Sequence, residues 1–459
     1  MSKLVGDQIY YGWKIVAAIL VLLTFSSGLS FYNHAIYLNA LATQPAFSVQ
    51  TASFAVSIFF LSGGITGLWV AKWVQDYDPR LCIIGGAVIS CLALSVLAYV
   101  DTVWQLFLVY AVFGCGFSAS SLIPATTLVT RWFHRKRAMA LSIASTGLSL
   151  GGVILTPLSV ILVESVGFTR AAPMMGVMYL LGVIPVAWIW LRPSPESMGV
   201  GIDGDPIAAR SAMAANQPES TTAAVTAVEA EPDIEGSGRA VEESGRGVEE
   251  SGRAVEERDQ HARQSGQEGI SFRDARRGRF FWGVSLGYIF LLMAQVGGIA
   301  HQYGLARELL SESSTAIAVA ILPVASIIGR LIGGWAIDRM SIRVFAVGMM
   351  LLQAASLGLL SAGFSIITLC LGLALFGTTV GNLLMLQPLL IAEAFGVKDY
   401  ARIFSVCNLM SSWGTAIGPA LLGIVYAVSQ NAYGLSYTIA AIASCLGLAL
   451  FLYGGKVNS

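Results

Sequence analysis

Long apolar runs separated by short polar breaks dominate the chain, and the length of these runs decides the class of structure. About 20 apolar residues cross the hydrocarbon core of a bilayer, and a backbone in lipid satisfies its hydrogen bonds within helices. Twelve runs are long enough, at residues 12–38, 50–74, 81–100, 104–130, 137–162, 171–191, 280–303, 314–336, 342–363, 365–392, 401–428 and 433–454. The pattern therefore predicts an all-α integral membrane protein with twelve transmembrane helices in the lipid bilayer.

The composition excludes most other classes of protein. Hydrophobic residues make up 55% of the 459 positions and charged residues 12%, whereas soluble domains carry about 25% charged residues. The formal net charge is zero, so nucleic acid is not an expected partner. The six cysteines are scattered through apolar runs, and no phosphate-binding loop, nucleophile elbow or HExxH motif is present. We therefore expect no metal site, no cofactor and no enzymatic activity.

One stretch, residues 193–272, differs from the apolar runs. It is rich in Ala, Glu, Ser, Gly and Arg, and it repeats a seven-residue unit that starts at Ser237, Ser244 and Ser251. A coiled coil needs two apolar positions per heptad, whereas each unit has one Val and a helix-weakening Gly. We expect a disordered cytoplasmic linker; a transient helix or a docking site is the alternative.

Landmarks on the two sides of this linker repeat at a fixed offset. The pairs, each 263 residues apart, are Arg80 and Arg343, Phe113-Gly114 and Phe376-Gly377, and Gly151 and Gly414. Internal repeats of this kind are typical of transporters whose substrate site lies between two halves. The sequence therefore predicts an N-terminal six-helix half at residues 1–192 and a C-terminal six-helix half at residues 273–459.

Basic residues are concentrated in the loops on one side of the predicted membrane. The loops after runs four, eight and ten and the approach to run seven contain them, whereas residues 39–49 and 429–432 contain neither Lys nor Arg. Cytoplasmic loops carry an excess of Lys and Arg. Both termini and the linker are therefore predicted to be cytoplasmic, with a bacterial cytoplasmic (inner) membrane as the expected location.

Arg330 lies inside the eighth apolar run and is the main candidate for a substrate-binding residue. A guanidinium near the centre of a membrane helix costs roughly 2.5–3.5 kcal/mol on insertion scales. Arg330 precedes Asp338 by eight residues, or roughly 12 Å of helix, which is far for a side chain that snorkels to the interface, the alternative role. Its equivalent in the first half is Gly67. This asymmetry favours an anion site, because arginine pairs with both oxygens of a carboxylate.

Other polar residues in the apolar runs are weaker candidates. His34 and, less strongly, His301 are predicted to carry the coupling proton, because histidine changes charge near neutral pH. The amides expected to contact substrate are Asn382, Asn408, Asn33 and Gln387. The alternative for each of them is a hydrogen bond between helices, worth about 0.6 kcal/mol. The serines Ser118, Ser120 and Ser121 either line the cavity or allow close helix packing.

The loop after run eight, Gly334-x3-Asp338-Arg339-x3-Arg343, resembles the signature loop of the major facilitator superfamily. In that family the loop forms a conformational latch at the cytoplasmic helix ends, and the equivalent loop of the first half contains Asp76 and Arg80. Further motifs resemble the branch that contains monocarboxylate porters and oxalate:formate antiporters: Tyr11-Gly12-Trp13-Lys14, Arg131-Trp132-Phe133, residues 192–199 and residues 387–396.

The resemblance implies the major facilitator fold and transport of small organic anions by alternating access. It places Arg330 on the eighth-helix arginine that binds the substrate carboxylate. Three positions depart from the branch: Ser326 replaces an acidic residue, Asn33-His34 replaces a first-helix lysine, and the segment 407–412 has no second cation. These departures argue against dicarboxylate substrates.

The sequence therefore predicts a monomeric secondary transporter of a small monocarboxylate, similar to lactate or pyruvate, with proton symport. An organic anion exchanger, or a carrier of a larger or zwitterionic acid, is the alternative within transport. A membrane sensor that binds a carboxylate and signals through the linker is the alternative from another class.

Overall fold

The computed structural model describes residues 10–133, 136–204, 269–337, 339–363, 365–396 and 399–455. All twelve predicted spans are confirmed as helices within these ranges, and their ends lie within a few residues of the predicted ones. We label them α1 (Tyr11–Ala42), α2 (Val49–Asp76), α3 (Pro79–Leu97), α4 (Val103–Trp132), α5 (Arg137–Val166), α6 (Phe168–Ile189), α7 (Arg279–Arg307), α8 (Glu312–Ile337), α9 (Ile342–Ala362), α10 (Ile366–Phe395), α11 (Tyr400–Val428) and α12 (Tyr433–Tyr453). The repeat units of the predicted linker lie outside the described residues.

Local sequence signals fix several helix ends. The side chains of Ser48, Asp78, Ser341 and Ser365 each accept a hydrogen bond from a backbone N–H in the first turn of the helix that follows. Such caps satisfy N–H groups that have no partner inside the helix. At the other end of α9, Gly363 adopts a left-handed conformation with φ of +58°, which glycine tolerates best.

Two helices, α1 and α4, are interrupted near their middles. In α1 a π-helical segment spans Gly28–Tyr32, where Gly28 packs directly against the backbone of Gly151 on α5. In α4 the helix breaks at Ser121, with φ of −121° and ψ of −132°, three residues before Pro124, which lacks the N–H that a continuous helix requires. Irregular backbone at membrane depth is tolerated where it lines a cavity, so both breaks point to a site in the interior.

The 263-residue offset is repeated in the packing of the two halves. Gly114 of α4 lies against the carbonyl oxygen of Phe59 on α2, and Gly377 of α10 lies against that of Leu322 on α8. Phe59 and Leu322 are themselves separated by the same offset. A side chain at either glycine would collide with the backbone of the neighbouring helix, so both glycines are needed for equivalent close helix crossings.

The two halves touch at one end of the bundle. We call the end that carries Tyr11 and Tyr453 the terminus face and the opposite end the far face. Within the described part of the chain, hydrogen bonds between the halves include those that join Ser53 to His301, Ala420 to Ser57, Ser149 to Ser326 and Arg330 to Ser145. The first two lie toward the far face and the third lies near mid-depth, whereas the bond of the long Arg330 side chain lies on the terminus-face side of mid-depth. Apart from that side chain, these contacts join the halves from mid-depth to the far face. The halves therefore separate toward the terminus face.

The described ends of the predicted linker are each bound to a different half. On the N-terminal side the Tyr10 hydroxyl donates a hydrogen bond to the carbonyl oxygen of Gly201, at 3.3 Å. On the C-terminal side the N–H of Ile270 donates to the carbonyl oxygen of Phe395 at 2.8 Å, and the N–H of Phe272 donates to Asp399 Oδ2 at 2.7 Å. Both attachments lie at the terminus face.

Candidate substrate-binding site

A cavity of about 310 Å³ lies between the two halves. Helices α1, α2, α4 and α5 line it from the N-terminal half, and α8, α10 and α11 line it from the C-terminal half. The segment Gly28–Tyr32 and the break at Ser121 both contribute to its wall. Arg330 is the one charged side chain among the described residues that line it.

The Arg330 guanidinium is only partly satisfied by the protein. Its Nη1 donates a hydrogen bond to the carbonyl oxygen of Ser145 on α5, at 3.0 Å. Its Nε is buried and has no hydrogen-bond partner, and Arg330 forms no salt bridge with any described residue. A buried donor without a partner is costly. The guanidinium thus keeps one donor, Nε, that the described residues leave unsatisfied.

Close packing between α8 and α10 holds Arg330 in position. Its stem lies against Gly381, where a Cβ atom would stand 2.7 Å from Arg330 Cγ and 2.6 Å from the carbonyl oxygen of Ser326. On α8, Gly329 lies equally close to Thr378 of α10, and Gly333 lies equally close to Asn382 of α10, so that neither has room for a side chain. The glycines allow the two backbones to approach closely, and the approach aims the arginine into the cavity.

Hydroxyl groups from both halves surround Arg330. The phenol of Tyr32 lies beside Ser149 and Ser326 and faces Arg330. The hydroxyls of Ser149 and Ser326 are 3.3 Å apart, across the boundary between the halves. Ser326, which stands where the proton-coupled branch carries an acidic residue, thus contributes a neutral hydroxyl. Of these three residues Tyr32 lines the cavity, so its hydroxyl can donate to an anion without competing with it for the arginine.

Aromatic rings of the N-terminal half form the cavity wall that adjoins Tyr32. The rings of Phe31 and Phe60 are 5.8 Å apart, those of Phe59 and Phe60 are 5.1 Å apart, and those of Phe59 and Phe117 are 5.2 Å apart. All four line the cavity. Such edge-to-face and tilted arrangements are favourable for aromatic pairs, so the wall is continuous and apolar.

The four predicted amides are placed mostly in helix packing. Asn33 donates to Ser159 Oγ at 2.7 Å inside the N-terminal half. Asn382 donates to the carbonyl oxygens of Gly329 and Thr378 and joins α8 to α10. Gln387 donates to Ser411 Oγ at 2.7 Å and joins α10 to α11. None of these three lines the cavity.

Asn408 is exposed on α11 and lies outside the cavity lining. It precedes the lining residue Ser412 by one helical turn, and the Ser412 hydroxyl donates to its carbonyl oxygen at 2.9 Å. Residues four apart share a helix face, so Asn408 lies on the path from the terminus face to the cavity. Of the predicted serines, Ser118 and Ser121 line the cavity, whereas the hydroxyl of Ser120 contacts that of Tyr179 at 2.8 Å.

The two predicted proton carriers occupy different environments. His34 is fully buried among aromatic rings, with the Phe59 ring centroid at 4.2 Å and the Tyr110 ring stacked at 5.8 Å. Neither of its ring nitrogens has a partner among the described residues. His301 lies instead at the junction of the halves, with Nε2 3.1 Å from the carbonyl oxygen of Pro419 and 3.3 Å from Ser53 Oγ.

The predicted latch of the second half is partly described. Asp338 lies outside the described residues, and Gly334 has open space where a side chain would be. Arg339 stacks on the Trp335 ring at 4.2 Å and donates to the Trp335 carbonyl oxygen at 3.1 Å. Arg343 donates to the carbonyl oxygen of Gly455, and its guanidinium lies 5.1 Å from the ring of Phe451. Both arginines thus lie at the terminus face.

In the first half the ion pair of the equivalent loop involves Asp78 rather than Asp76. Arg80 Nη2 and Asp78 Oδ2 are 2.7 Å apart, and Asp76 is exposed. Partial burial raises the pKa of the Asp78 carboxyl, but the hydrogen bonds from Arg80 and the charges of Arg80 and Arg131 outweigh it, so that this pKa lies below its usual value. Arg131 Nη2 also donates to the carbonyl oxygen of Val74, at 2.5 Å.

Several site residues were not predicted from the sequence. Phe31, Phe60 and Tyr32 lie in apolar runs, where an aromatic residue that lines a cavity has the same pattern as one in a core. Asp78 stands directly before Pro79 at the start of a helix. That position is a signal for a capping residue, and it was available in the sequence.

Comparison with known proteins agrees with this architecture. A sequence profile of the Major Facilitator Superfamily matches residues 20–303 and 280–457. The chain belongs to the major facilitator superfamily. This membership confirms the resemblance at the level of the superfamily, while the monocarboxylate branch stays a prediction.

Relatives within the superfamily match only part of the chain. An MFS-type transporter of Gibberella moniliformis is 31% identical over 153 residues, which are 32% of this chain and 35% of the relative. The Fujikurins efflux protein of Gibberella fujikuroi is 30% identical over 139 residues, which are 30% of this chain and 29% of that protein. The chain spans about a third of the length of these curated relatives. Both relatives are fungal, so they add no support for the bacterial inner membrane predicted from the sequence.

A solved structure of a transporter homolog has the same fold. The crystal structure of a bacterial homolog to the human lysosomal transporter Spinster, in inward-facing and unoccupied conformation, aligns over 98% of this chain and 98% of that one. The TM-score is 0.68 and the sequence identity is 16%. At this identity the likeness extends to the fold alone.

Proposed function

We propose that this chain is a secondary transporter that moves an organic monocarboxylate across the membrane by alternating access, with Arg330 as the carboxylate anchor. The observation that carries the proposal is the Arg330 guanidinium, which lines the cavity between the halves with Nε buried and unpartnered among the described residues. Charged residues inside membrane segments mark substrate pathways. One cation in the cavity matches one carboxylate, and Tyr32, which also lines the cavity, supplies a further donor.

The position of the junction supports alternating access. The hydrogen bonds between Ser53 and His301 and between Ala420 and Ser57 join the halves on the far-face side of the cavity. On its terminus-face side the bond between halves is made by the long Arg330 side chain. The basic loops support a cytoplasmic terminus face, and with that orientation the conformation is inward-facing. The Spinster homolog of the same fold also crystallised in an inward-facing conformation.

A proton is the coupling ion that we propose, in symport with the acid. A proton that travels with the anion neutralises the transported charge. His301 supports this role better than His34, because it lies in the junction that must open when the far face becomes accessible. Its contacts with Ser53 and Pro419 link its protonation to that junction.

Uptake into liposomes tests the carboxylate anchor. The purified full-length protein should accumulate a labelled monocarboxylate in empty liposomes when a proton gradient is imposed. Arg330→Ala should abolish accumulation, and Arg330→Lys should reduce it at least tenfold, because lysine keeps the charge but loses the planar fork. Near-normal uptake by Arg330→Ala would show that the anion site lies elsewhere.

An exporter or an anion exchanger is the second candidate. The relative named Fujikurins efflux protein favours export, and a single cationic anchor also suits exchange of one anion for another. An exchanger needs anion on both sides of the membrane, whereas a symporter fills empty liposomes under a proton gradient alone. Uptake that requires preloaded acid would therefore favour the exchanger.

A further inference from the structure

The two walls of the cavity differ in chemistry. The C-terminal half contributes the charge of Arg330, whereas the N-terminal half contributes the ring wall formed by Phe31, Phe59, Phe60 and Phe117. Leu122 on α4 and Leu384 on α10 add to the apolar lining. Ten of the eighteen lining residues are aromatic or aliphatic. A ligand bound to Arg330 therefore has its other end against apolar surface.

The cavity is also larger than a three-carbon acid requires. Its volume of about 310 Å³ falls at the lower end of the roughly 300–1,000 Å³ of pockets that hold drug-sized ligands. Water occupies about 30 Å³ per molecule in the liquid, so a lactate-sized acid would leave water against the phenylalanine wall. Binding gains affinity when apolar ligand surface replaces that water.

We infer that the preferred substrates are amphipathic monocarboxylates whose apolar body is an aromatic ring or a branched chain, rather than acids of two or three carbons. The inference rests on the carboxylate site proposed above. The carboxylate pairs with Arg330 near Tyr32 and Ser326, and the body lies against Phe31 and Phe60. A ring there adds edge contacts to a series of rings that already packs in this way.

Gly64 offers a way to change the size of the cavity without disturbing the fold. It lines the cavity, and a Cβ atom added there meets no atom within 4 Å. Gly64→Leu therefore fills part of the space beside the ring wall. Gly85 on α3 is the matched control, because a Cβ atom there also meets nothing within 4 Å and the residue lies outside the lining.

The experiment compares propanoate with 3-phenylpropanoate, two acids that share a carboxylate and differ by a ring. Dissociation constants are measured on the purified full-length protein, with 3-phenylpropan-1-ol as the uncharged probe. We expect 3-phenylpropanoate to bind at least tenfold tighter than propanoate, a difference of about 1.4 kcal/mol. Gly64→Leu should weaken 3-phenylpropanoate at least tenfold and propanoate less than threefold, and Gly85→Leu should change neither. Leu384→Trp narrows the cavity from the opposite wall and replaces Gly64→Leu if that variant does not fold.

The outcomes separate the inference from the function on which it rests. Equal affinities for the two acids, both lost in Arg330→Gln, would overturn the size preference and leave the carboxylate anchor in place. Equal weakening of both acids by the cavity-filling variants would overturn it as well. Unchanged acid binding by Arg330→Gln, or tighter binding of the alcohol than of the acid, would overturn the proposed function itself.

Discussion

Gly381 of α10 lies so close to Arg330 of α8 that a methyl group at position 381 would stand 2.7 Å from Arg330 Cγ and 2.9 Å from Nε. The absent side chain at Gly381 is therefore part of the environment that orients the guanidinium. It also gives a way to move the arginine without replacing it.

Gly381→Ala should displace Arg330 and weaken binding of the acid at least tenfold, because a bidentate pair tolerates little change in geometry. Affinity is measured by calorimetry or by competition with a labelled acid. Gly348→Ala is the control, since a Cβ atom at Gly348 meets nothing within 4 Å. Equal affinity in Gly381→Ala and the native protein would mean that the position of the arginine is not critical.

His301 should control the pH dependence of transport. The Ser53 hydroxyl donates its hydrogen to the carbonyl oxygen of Val49 at 2.6 Å, so it can only accept from His301. The Pro419 carbonyl oxygen also can only accept. The neutral His301 ring therefore carries its hydrogen on Nε2. Protonation adds a hydrogen to Nδ1, which is buried and has no partner among the described residues. The charged ring then has a buried donor without an acceptor, which destabilises the closed far-face junction. Protonation as the pH falls therefore favours opening of that junction.

His301→Gln should remove this pH dependence while preserving exchange between acid on the two sides. Transport is measured in liposomes over pH 5 to 8, and Tyr433 and Glu308, the neighbouring titratable groups, are left intact. His34→Gln is the comparison, because His34 lies in an aromatic core away from the junction. An unaltered pH profile in His301→Gln, together with a flattened profile in His34→Gln, would restore His34 as the proton carrier.

Ser57 should slow hydrogen exchange of the α11 backbone next to Pro419. Pro419 interrupts the helical hydrogen bonds of α11, and the N–H of Ala420 donates to Ser57 Oγ of the other half at 2.9 Å. Ser57→Ala removes a bond worth about 1 kcal/mol, so hydrogen exchange in the peptide that contains Ala420 should become roughly fivefold faster. Ser356→Ala, which removes a bond to the Gln353 carbonyl oxygen within α9, should leave that peptide unchanged. Unchanged exchange in Ser57→Ala would mean that the bond between Ser57 and Ala420 does not protect this part of the far-face junction.

The ion pair of Asp78 should stabilise the terminus face at neutral pH. Its pKa is lowered, so its contribution is present above the usual aspartate value of about 3.9 and is lost as the pH falls through the lowered pKa. Asp78→Asn should lower the melting temperature slightly at pH 7, since exposed ion pairs contribute about 0.2–1 kcal/mol. The difference from the native protein should shrink in acid, whereas Asp76→Asn should change little at any pH.

The twelve spans, the repeat and the unusual position of Arg330 inside an apolar helix could all be predicted, because membrane burial imposes a simple pattern in which a charge stands out. The amides could not be assigned in the same way. Asn33, Asn382 and Gln387 are polar residues in apolar helices whether they bind a ligand or a neighbouring helix, and only the three-dimensional packing distinguishes the two. The break in α1 at Gly28–Tyr32 contains no proline, so it left no mark in the sequence.

The attachment of Gly201 to Tyr10, and of Ile270 to Phe395, has a mechanical consequence for the whole cycle. Both anchors lie at the terminus face, so the chain ties the two halves together on the side where they separate. The 68 residues between Gly201 and Ile270 can reach roughly 220 Å when extended, which is far more than the width of any entrance. This connection therefore keeps the halves in one molecule without limiting how far they move apart, and transport should tolerate its partial shortening.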